Sequence, residues 1–328
     1  MTPAITVQAL RKSYRYPRRR RGALGSLAGL FHPDIVELEA IAGVSFDIAA
    51  GERVAIIGPN GAGKSTTLKM LCGVLEPSGG AATVLGHTPW RERRALAYEI
   101  GVVFGQRTQL WTELPVRDSF ALLRRIYDQD AQAFARRRDQ LVDRFGVGAL
   151  MDQPVSRLSL GQRMRCEIVA SLLHGPRLLF LDEPTIGLDV TAKAAIRDFI
   201  RDQSAGEGQT VVLTSHDTRD IELVSERVIV INAGRIVLDQ PTDQLRRRFI
   251  ARKLVTLRSQ SPTLALELPG VTRRASEPHT TVLEIDTRAT RIEAVIAAAL
   301  ALGGIDDVTV EDPPMEEVIH EIYAALHD

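Results

Sequence analysis

The stretch Gly58-Pro59-Asn60-Gly61-Ala62-Gly63-Lys64-Ser65-Thr66 sets a glycine, four residues, a second glycine, then Lys and Ser. Glycines reach backbone angles that other residues avoid, so consecutive amides can turn inward and wrap an anion. Lys64 adds a point charge, and the pattern as a whole is that of a loop for a nucleotide triphosphate. Ser65 stands where a hydroxyl can ligate magnesium. A second group of chemistry-bearing residues closes the apolar run Arg177-Leu178-Leu179-Phe180-Leu181 with Asp182-Glu183-Pro184. Asp182 is expected to hold magnesium, through water, and Glu183 to polarise an attacking water as general base. His216 follows the β-rich run Thr210–Ser215, where a neutral imidazole can bond a γ-phosphate oxygen. Gln106 follows the strand-like Ile100–Phe104, and its amide could bond both magnesium and water.

These residues need a framework of strands that end together. Arg53–Ile57 reads as a buried strand leading into the loop, and Leu68, Leu71, Cys72 and Leu75 follow at helical spacing. The helix therefore begins at the loop and aims the positive end of its dipole at the phosphates. The run Arg177–Pro184, apolar up to its two carboxylates, reads as a central parallel strand whose C-terminal end opens on the ligand. Earlier, Ile5–Leu10 and Val44–Ile48 alternate like strands of a small antiparallel sheet. Tyr14, close after the first, is either a platform for a purine or a half-buried surface residue. The arginine run Arg18–Arg21 reads as an inserted loop, either solvated or touching anionic lipid headgroups or acidic residues of a partner.

Leu158-Ser159-Leu160-Gly161-Gln162 opens a helix carrying Met164, Ile168 and Leu172 on one side, with Ser159 as N-cap. A helix start with Ser and Gly is a second anion site in a chain that already has a phosphate loop, which suggests two chains sharing two nucleotides.

The order of the phosphate loop, Gln106, Leu158–Gln162, Leu181-Asp182-Glu183, Gly187-Leu188-Asp189 and His216 resembles the ATP-binding subunit of ABC transporters, from about Ile5 to Gln244. The resemblance implies an α/β, P-loop NTPase cassette: a mostly parallel core sheet, an antiparallel β subdomain and a helical subdomain over about 107–175. It implies ATP and Mg2+ as ligands, and contacts from Ser159, Gly161 and Gln162 to the γ-phosphate held by the opposite subunit. Asp189 would help couple the two sites, and Tyr14 would stack on adenine. It implies as partners a second copy of the chain and a transmembrane permease, with no nucleic acid, at the cytoplasmic face of the membrane. Two positions depart from the family pattern: Leu160 replaces the first glycine of Leu-Ser-Gly-Gly-Gln, and Ile186-Gly187-Leu188-Asp189 replaces Ser-Ala-Leu-Asp. Lys64, Glu183 and His216 are all present, so a working ATPase is expected.

The family places residues after Gln106 against the membrane subunit. Leu110 and Trp111 there are either core or a seat for a short helix of the partner, and an arginine-rich helical stretch runs from Val116 to Phe145. The ATP-binding domain is expected over 1–245 and a small α+β appendage over 246–328. In the appendage, strands are expected near Val255–Leu257, Leu264–Leu268 and Val282–Ile285. Two helices should follow, one behind a Thr290/Glu293 capping box and one from Asp312-Pro313. The appendage and the wording of Val103–Tyr127 look like the multidrug and antibiotic (daunorubicin-resistance-like) exporter branch. A soluble cassette ATPase acting on ribosomes or DNA is the alternative.

Bulk properties agree with a globular protein. The 328 residues are 45% hydrophobic and 25% charged, with Lys plus Arg and Asp plus Glu both at 41, so net charge says nothing about nucleic acid. No apolar run approaches the roughly 18 to 20 residues of a membrane span, and no secretory leader is expected. Cys72 and Cys166 fall in apolar helical patterns and read as buried hydrophobes.

Overall fold

The computed structural model describes residues 3–17, 35–105, 107–206, 208–215, 218–245, 252–261 and 266–311. The chain divides into two compact units, Met1–Asp239 and Gln240–Asp328, a division six residues earlier than the expected boundary at 245/246. The expected insertion at Arg18–Arg21 and the helix from Asp312 lie outside the described residues.

The first unit holds two sheets. β1 (Pro3–Pro17), β2 (Ile35–Ala49) and β4 (Gly79–Val84) form an antiparallel sheet in the order β2-β1-β4. The second sheet has the order β5-β6-β7-β3-β8-β9 and is built from β3 (Arg53–Ile57), β5 (Ile100–Phe104), β6 (Leu178–Asp182), β7 (Thr210–Thr214), β8 (Arg227–Asn232) and β9 (Arg235–Pro241). β5, β6, β7, β3 and β8 pair in parallel. Every residue of β6 and β7 is buried, which is why both read as unbroken apolar runs: parallel strands are covered on both faces. One apolar core joins the two sheets, with Ile5, Leu10 and Ile41 clustering with Leu68 and Leu71 of helix α1 (Lys64–Leu71) and with Phe180, Val212 and Ile229.

The register of the parallel sheet decides where chemistry can happen. Phe104 pairs with Asp182, Asp182 with Thr214, and Thr214 with Ile56. Strands lie about 4.8 Å apart, so these four positions form one row across the sheet. Gly105, Glu183, Ser215 and the start of the phosphate loop all leave the sheet just beyond that row.

After α2 (Arg93–Ala97) and β5, the arginine-rich stretch forms two helices, not one: α3 (Val116–Ile126) and α4 (Ala131–Phe145). Asp128 takes a positive φ of 48°, and Asp130 caps α4 by accepting from the amides of Gln132 and Ala133, so the chain turns between them. α5 (Leu160–Leu172) packs Met164, Ile168 and Leu172 inward. α6 (Val190–Gly206) and α7 (Thr218–Val224) follow β6 and β7.

The second unit is an antiparallel sheet in the order β11-β12-β10-β13, comprising β10 (Arg252–Ser259), β11 (Val271–Glu277), β12 (Thr280–Asp286) and β13 (Ile305–Glu311). Val255, Leu257, Leu283 and Ile285 pack on Val295 and Ala299 of α8 (Ile292–Ala301). Two expectations fail here. Leu266–Leu268 is not a strand, and the Thr290/Glu293 capping box does not form: Arg291 is the N-cap position, while the Thr290 hydroxyl donates to the carbonyl of Pro269. Glu293 pairs instead with Arg291 at 3.4 Å.

Candidate functional site

Residues 58–66, with Ala40, Glu183 and Ile186, line a cavity of about 540 Å³, a size that suits a nucleotide. Glycine is required at both ends of the loop. A Cβ on Gly58 would sit 2.2 Å from the carbonyl oxygen of Ile231. One on Gly63, where φ is +109°, would sit 2.4 Å from Ile41 Cδ1. Gly63 is also the N-cap position of α1, and no side chain caps that helix end. Its first amides therefore remain available to an anion.

Lys64 is 6% exposed, and its Nζ donates to the carbonyls of Gly58 at 2.7 Å and Pro59 at 3.3 Å. Glu183 Oε1 lies 3.9 Å away. Burial pulls the Lys64 pKa below its ordinary value, and the charges of Glu183 and Asp182 pull it back up. Its ammonium is thus held inside the loop by two carbonyls of the loop itself.

Asp182 is nearly buried, and its Oδ1 accepts from Ser65 Oγ at 2.9 Å and from Thr214 Oγ1 at 2.7 Å. The pairing of Asp182 with Thr214 in the sheet register is what places that hydroxyl. Thr214 also receives the Glu183 amide, on its carbonyl and on its hydroxyl, both at 3.1 Å. Glu183 has a φ of +54°, a left-handed conformation worth about 1–3 kcal/mol of strain in a residue that is not glycine. That turn sends the glutamate out of the sheet line and over the loop, where it lines the cavity. Gly105 donates its amide to the Asp182 carbonyl at 2.8 Å, and a Cβ there would lie 2.5 Å from the Glu183 carbonyl oxygen.

Other expected residues stand elsewhere. Ser159 is exposed and caps α5 in a complete capping box: the Gln162 amide donates to Ser159 Oγ at 3.3 Å, and the Ser159 amide donates to Gln162 Oε1 at 2.9 Å. Ser159, Gly161 and Gln162 do not line the cavity. Asp189 caps the start of α6, its Oδ1 accepting from the Ala192 amide at 2.8 Å. Tyr14 is 39% exposed on β1, with the Lys12 ammonium 5.3 Å from its ring centre, and does not line the cavity either. Gln106 and His216 lie outside the described residues. Of the two residues after Gln106, Leu110 is core and Trp111 is exposed. Cys72 and Cys166 are free and buried, and burial pushes their thiols up to about 11 and about 12.

Three residues were not read from the sequence as part of the site: Ala40, Thr214 and Ile186, the last named only as a departure from the family pattern. Thr214 had a faint signal, a hydroxyl ending an otherwise apolar strand beside the carboxylates. Ala40 had none, because its place depends on pairing between distant strands.

Comparison with known proteins agrees with this geometry. Residues 41–186 match the family model described as ABC transporter. The daunorubicin resistance ATP-binding protein DrrA3 of Streptomyces coeruleorubidus is 33% identical over 85% of this chain and 90% of its own. The Nod factor export ATP-binding protein I of Neorhizobium galegae is 37% identical over 60% of this chain and 56% of its own. A solved structure described as the ATP-binding subunit of an ABC transporter superposes with a TM-score of 0.63, at 25% identity, over 76% of this chain and 93% of that one. By this overlap in sequence and fold, the chain belongs to the ABC transporter family, as an ATP-binding subunit whose activity is ATP hydrolysis.

Proposed function

We propose that two copies of this chain clamp two ATP molecules and drive a separate transmembrane permease that exports drugs or other small molecules, at the cytoplasmic face of the membrane. The observation that carries the catalytic part is that Lys64, Ser65 and Glu183 line one cavity and that Asp182 lies directly behind Ser65, accepting from its hydroxyl. The amides of residues 58–66 and the start of α1 cradle the phosphates, and Lys64 neutralises their charge. Ser65 and Asp182 supply hard oxygen donors 2.9 Å apart, a donor set that fits Mg2+. When bound, that ion would offset charge on the β- and γ-phosphates. Glu183 accepts a proton from water as its oxygen attacks the γ-phosphorus, and ADP departs with the electrons of the broken bond. Gln106 and His216 orient that water.

The exposed capping box at Ser159 supports a role for Ser159, Gly161 and Gln162 on a second copy's nucleotide. They head a helix yet do not face their own cavity. Asp189, at the start of α6, carries the state of one site to the other, and Tyr14 stacks on adenine. The permease is read to dock on α3, where Leu122 and Ile126 are exposed one turn apart on the same face. Tyr98, whose hydroxyl donates to the Ile126 carbonyl at 3.4 Å, adjoins that face, and Trp111 is also exposed. Among the described residues no helix is long and apolar enough to cross a membrane, so the transport path is assigned to another chain. The names of the relatives, one for daunorubicin resistance and one for Nod factor export, support export as the direction.

The test is extraction of the tagged chain from its native membranes in mild detergent. An integral membrane protein that co-purifies and changes ATP turnover is the expected result. Recovery with ribosomes or nucleic acid, and no membrane protein, would refute the transport assignment and leave the ATPase chemistry intact.

A further inference from the structure

Behind the phosphate loop stands a hairpin turn whose residues do not line the cavity. β8 and β9 are neighbours joined by Ala233 and Gly234 alone, and both residues take positive φ, 45° and 74°. A two-residue loop with that pattern follows the twist of its strands, and glycine reaches positive φ without strain. Gly234 uses both of its backbone groups on neighbouring elements. Its amide donates to the Ala62 carbonyl in the phosphate loop at 3.0 Å, and its carbonyl accepts from the Ala42 amide of β2 at 2.8 Å. Space is as tight as the bonding. A Cβ on Gly234 would lie 2.8 Å from the Ala40 carbonyl oxygen and 3.0 Å from Ile41 Cα. One on Gly63 would lie 2.8 Å from that same oxygen, so loop and turn press on one carbonyl of β2.

The bond to Ala62 sets an orientation as well as a position. In a trans peptide the carbonyl of one residue and the N–H of the next point in opposite directions. With the Ala62 carbonyl turned back to Gly234, the Gly63 N–H is turned away from the hairpin, and Ala62 and Gly63 both line the cavity. Side chains do little to hold that peptide plane: Ala62 has a methyl, and Gly63, at φ +109°, has nothing. A plane next to a glycine flips readily unless its carbonyl has a fixed donor.

We propose that Gly234 is a positioning residue for ATP, its amide fixing the Ala62–Gly63 peptide plane so that the Gly63 N–H faces the phosphates. This rests on the reading above that residues 58–66 cradle the phosphates. Gly234 itself acts only through the loop. An alanine in its place pushes on Ala40 and Ile41, whose strand is held by its pairing with β1, so the turn backs away and the bond to Ala62 is lost. The loss falls on the cradle, not on Glu183 or the attacking water, so it weakens ATP and ADP alike.

The test uses the full chain with Gly234→Ala, Gly86→Ala and Lys64→Ala. Gly86 has a φ of +86° and open space where its Cβ would stand, so an alanine there brings similar backbone strain without touching the loop. Equilibrium affinities for ATP and ADP, kcat at saturating ATP, the half-maximal Mg2+ concentration and the denaturant midpoint are measured on each. In Gly234→Ala the Kd values for ATP and ADP should rise together by about tenfold, with kcat within about threefold of the parent and the Mg2+ midpoint unchanged. Gly86→Ala should lower the denaturant midpoint and keep both affinities within about twofold. In the parent, ATP should slow hydrogen exchange of the Gly234 amide by about threefold or more, because coupling between the nucleotide and that bond is reciprocal. This last measurement carries the test if Gly234→Ala does not fold. A folded Gly234→Ala with the parent's affinities, or a parent whose Gly234 exchange ignores ATP, would overturn the proposal. An equal loss of affinity in Gly86→Ala would assign the effect to strain and overturn it too. Lys64→Ala separates the two ideas. If it binds ATP as tightly as the parent, the phosphate-loop reading is wrong; if it loses ATP while Gly234→Ala keeps it, the brace alone is wrong.

Discussion

Replacing Thr214 with valine removes one hydroxyl from the completely buried end of β7 and changes little else in shape. That hydroxyl donates to Asp182 Oδ1 at 2.7 Å and accepts from the Glu183 amide at 3.1 Å. A hydrogen bond to a charged carboxylate contributes about 1.5–3 kcal/mol, and Asp182, only 9% exposed, has little water to replace it. Two contacts survive: Ser65 Oγ still reaches Asp182, and the Glu183 amide still reaches the Thr214 carbonyl at 3.1 Å. The loss therefore falls on how firmly Asp182 is aimed, the kind of change that costs a metal site about 10–100-fold in affinity. ATP turnover titrated with Mg2+ at fixed ATP should show the half-maximal Mg2+ concentration rising by that factor in Thr214→Val. The rate at saturating Mg2+ should change by less than about fivefold. Thr214→Ser, which keeps the hydroxyl, should behave like the parent. A folded Thr214→Val with an unshifted Mg2+ midpoint would refute the claim that this hydroxyl aligns Asp182.

Further outcomes follow from contacts away from the carboxylates. His174 donates from Nε2 to the Ile100 carbonyl at 2.9 Å, stacks on Tyr127 at 4.0 Å, and has a buried Nδ1 with no partner among the described residues. Burial lowers its pKa to about 4 from an ordinary 6.5, so the folded state resists a proton that the unfolded state takes up. Stability is then full above pH 6.5 and declines as pH falls to about 4, by about 3 kcal/mol, and denaturant midpoints of His174→Gln should lack that slope. At Gly187, where φ is +67°, an added Cβ would lie 2.7 Å from Leu160 Cδ2. Gly187→Ala should cost about 1–2 kcal/mol, and adding Leu160→Gly should return the steric share, giving a coupling of at least about 0.5 kcal/mol by denaturation. Simple additivity would show that the two family departures are independent. Leu122→Asp with Ile126→Asp should leave basal ATP turnover unchanged and abolish recovery of the membrane partner in detergent extracts.

The sequence made the cavity legible because backbone rules write it. Glycine is forced at positions 58 and 63 by close approach and positive φ, and Asp182-Glu183 marks the end of a strand buried on both faces. What stayed hidden depends on register. Thr214 acquires its role only because β6 and β7 pair Asp182 with it, and Ala40 reaches the cavity through β2, far from the loop in sequence. Gly234 could have been noticed as a turn glycine between two strands, but its bond to Ala62 could not. In the second unit, Val271–Glu277 lacks alternating apolar residues and is a strand because β12 lies beside it. Thr290 had the spacing of a capping residue, yet a nearby carbonyl took its hydroxyl. The coincidence of Leu160 with Gly187 shows the same limit: each was visible as a departure, and only the fold shows that they touch.

The central claim is that Glu183, turned out of the sheet and held 3.9 Å from Lys64, is the base for ATP hydrolysis. The most direct measurement compares ATP binding and turnover in the parent and in Glu183→Gln. Turnover should fall by about 10²–10⁴-fold while ATP affinity is kept, with a dimer accumulating when ATP is added. A Glu183→Gln chain that hydrolyses ATP at the parent's rate would contradict the account.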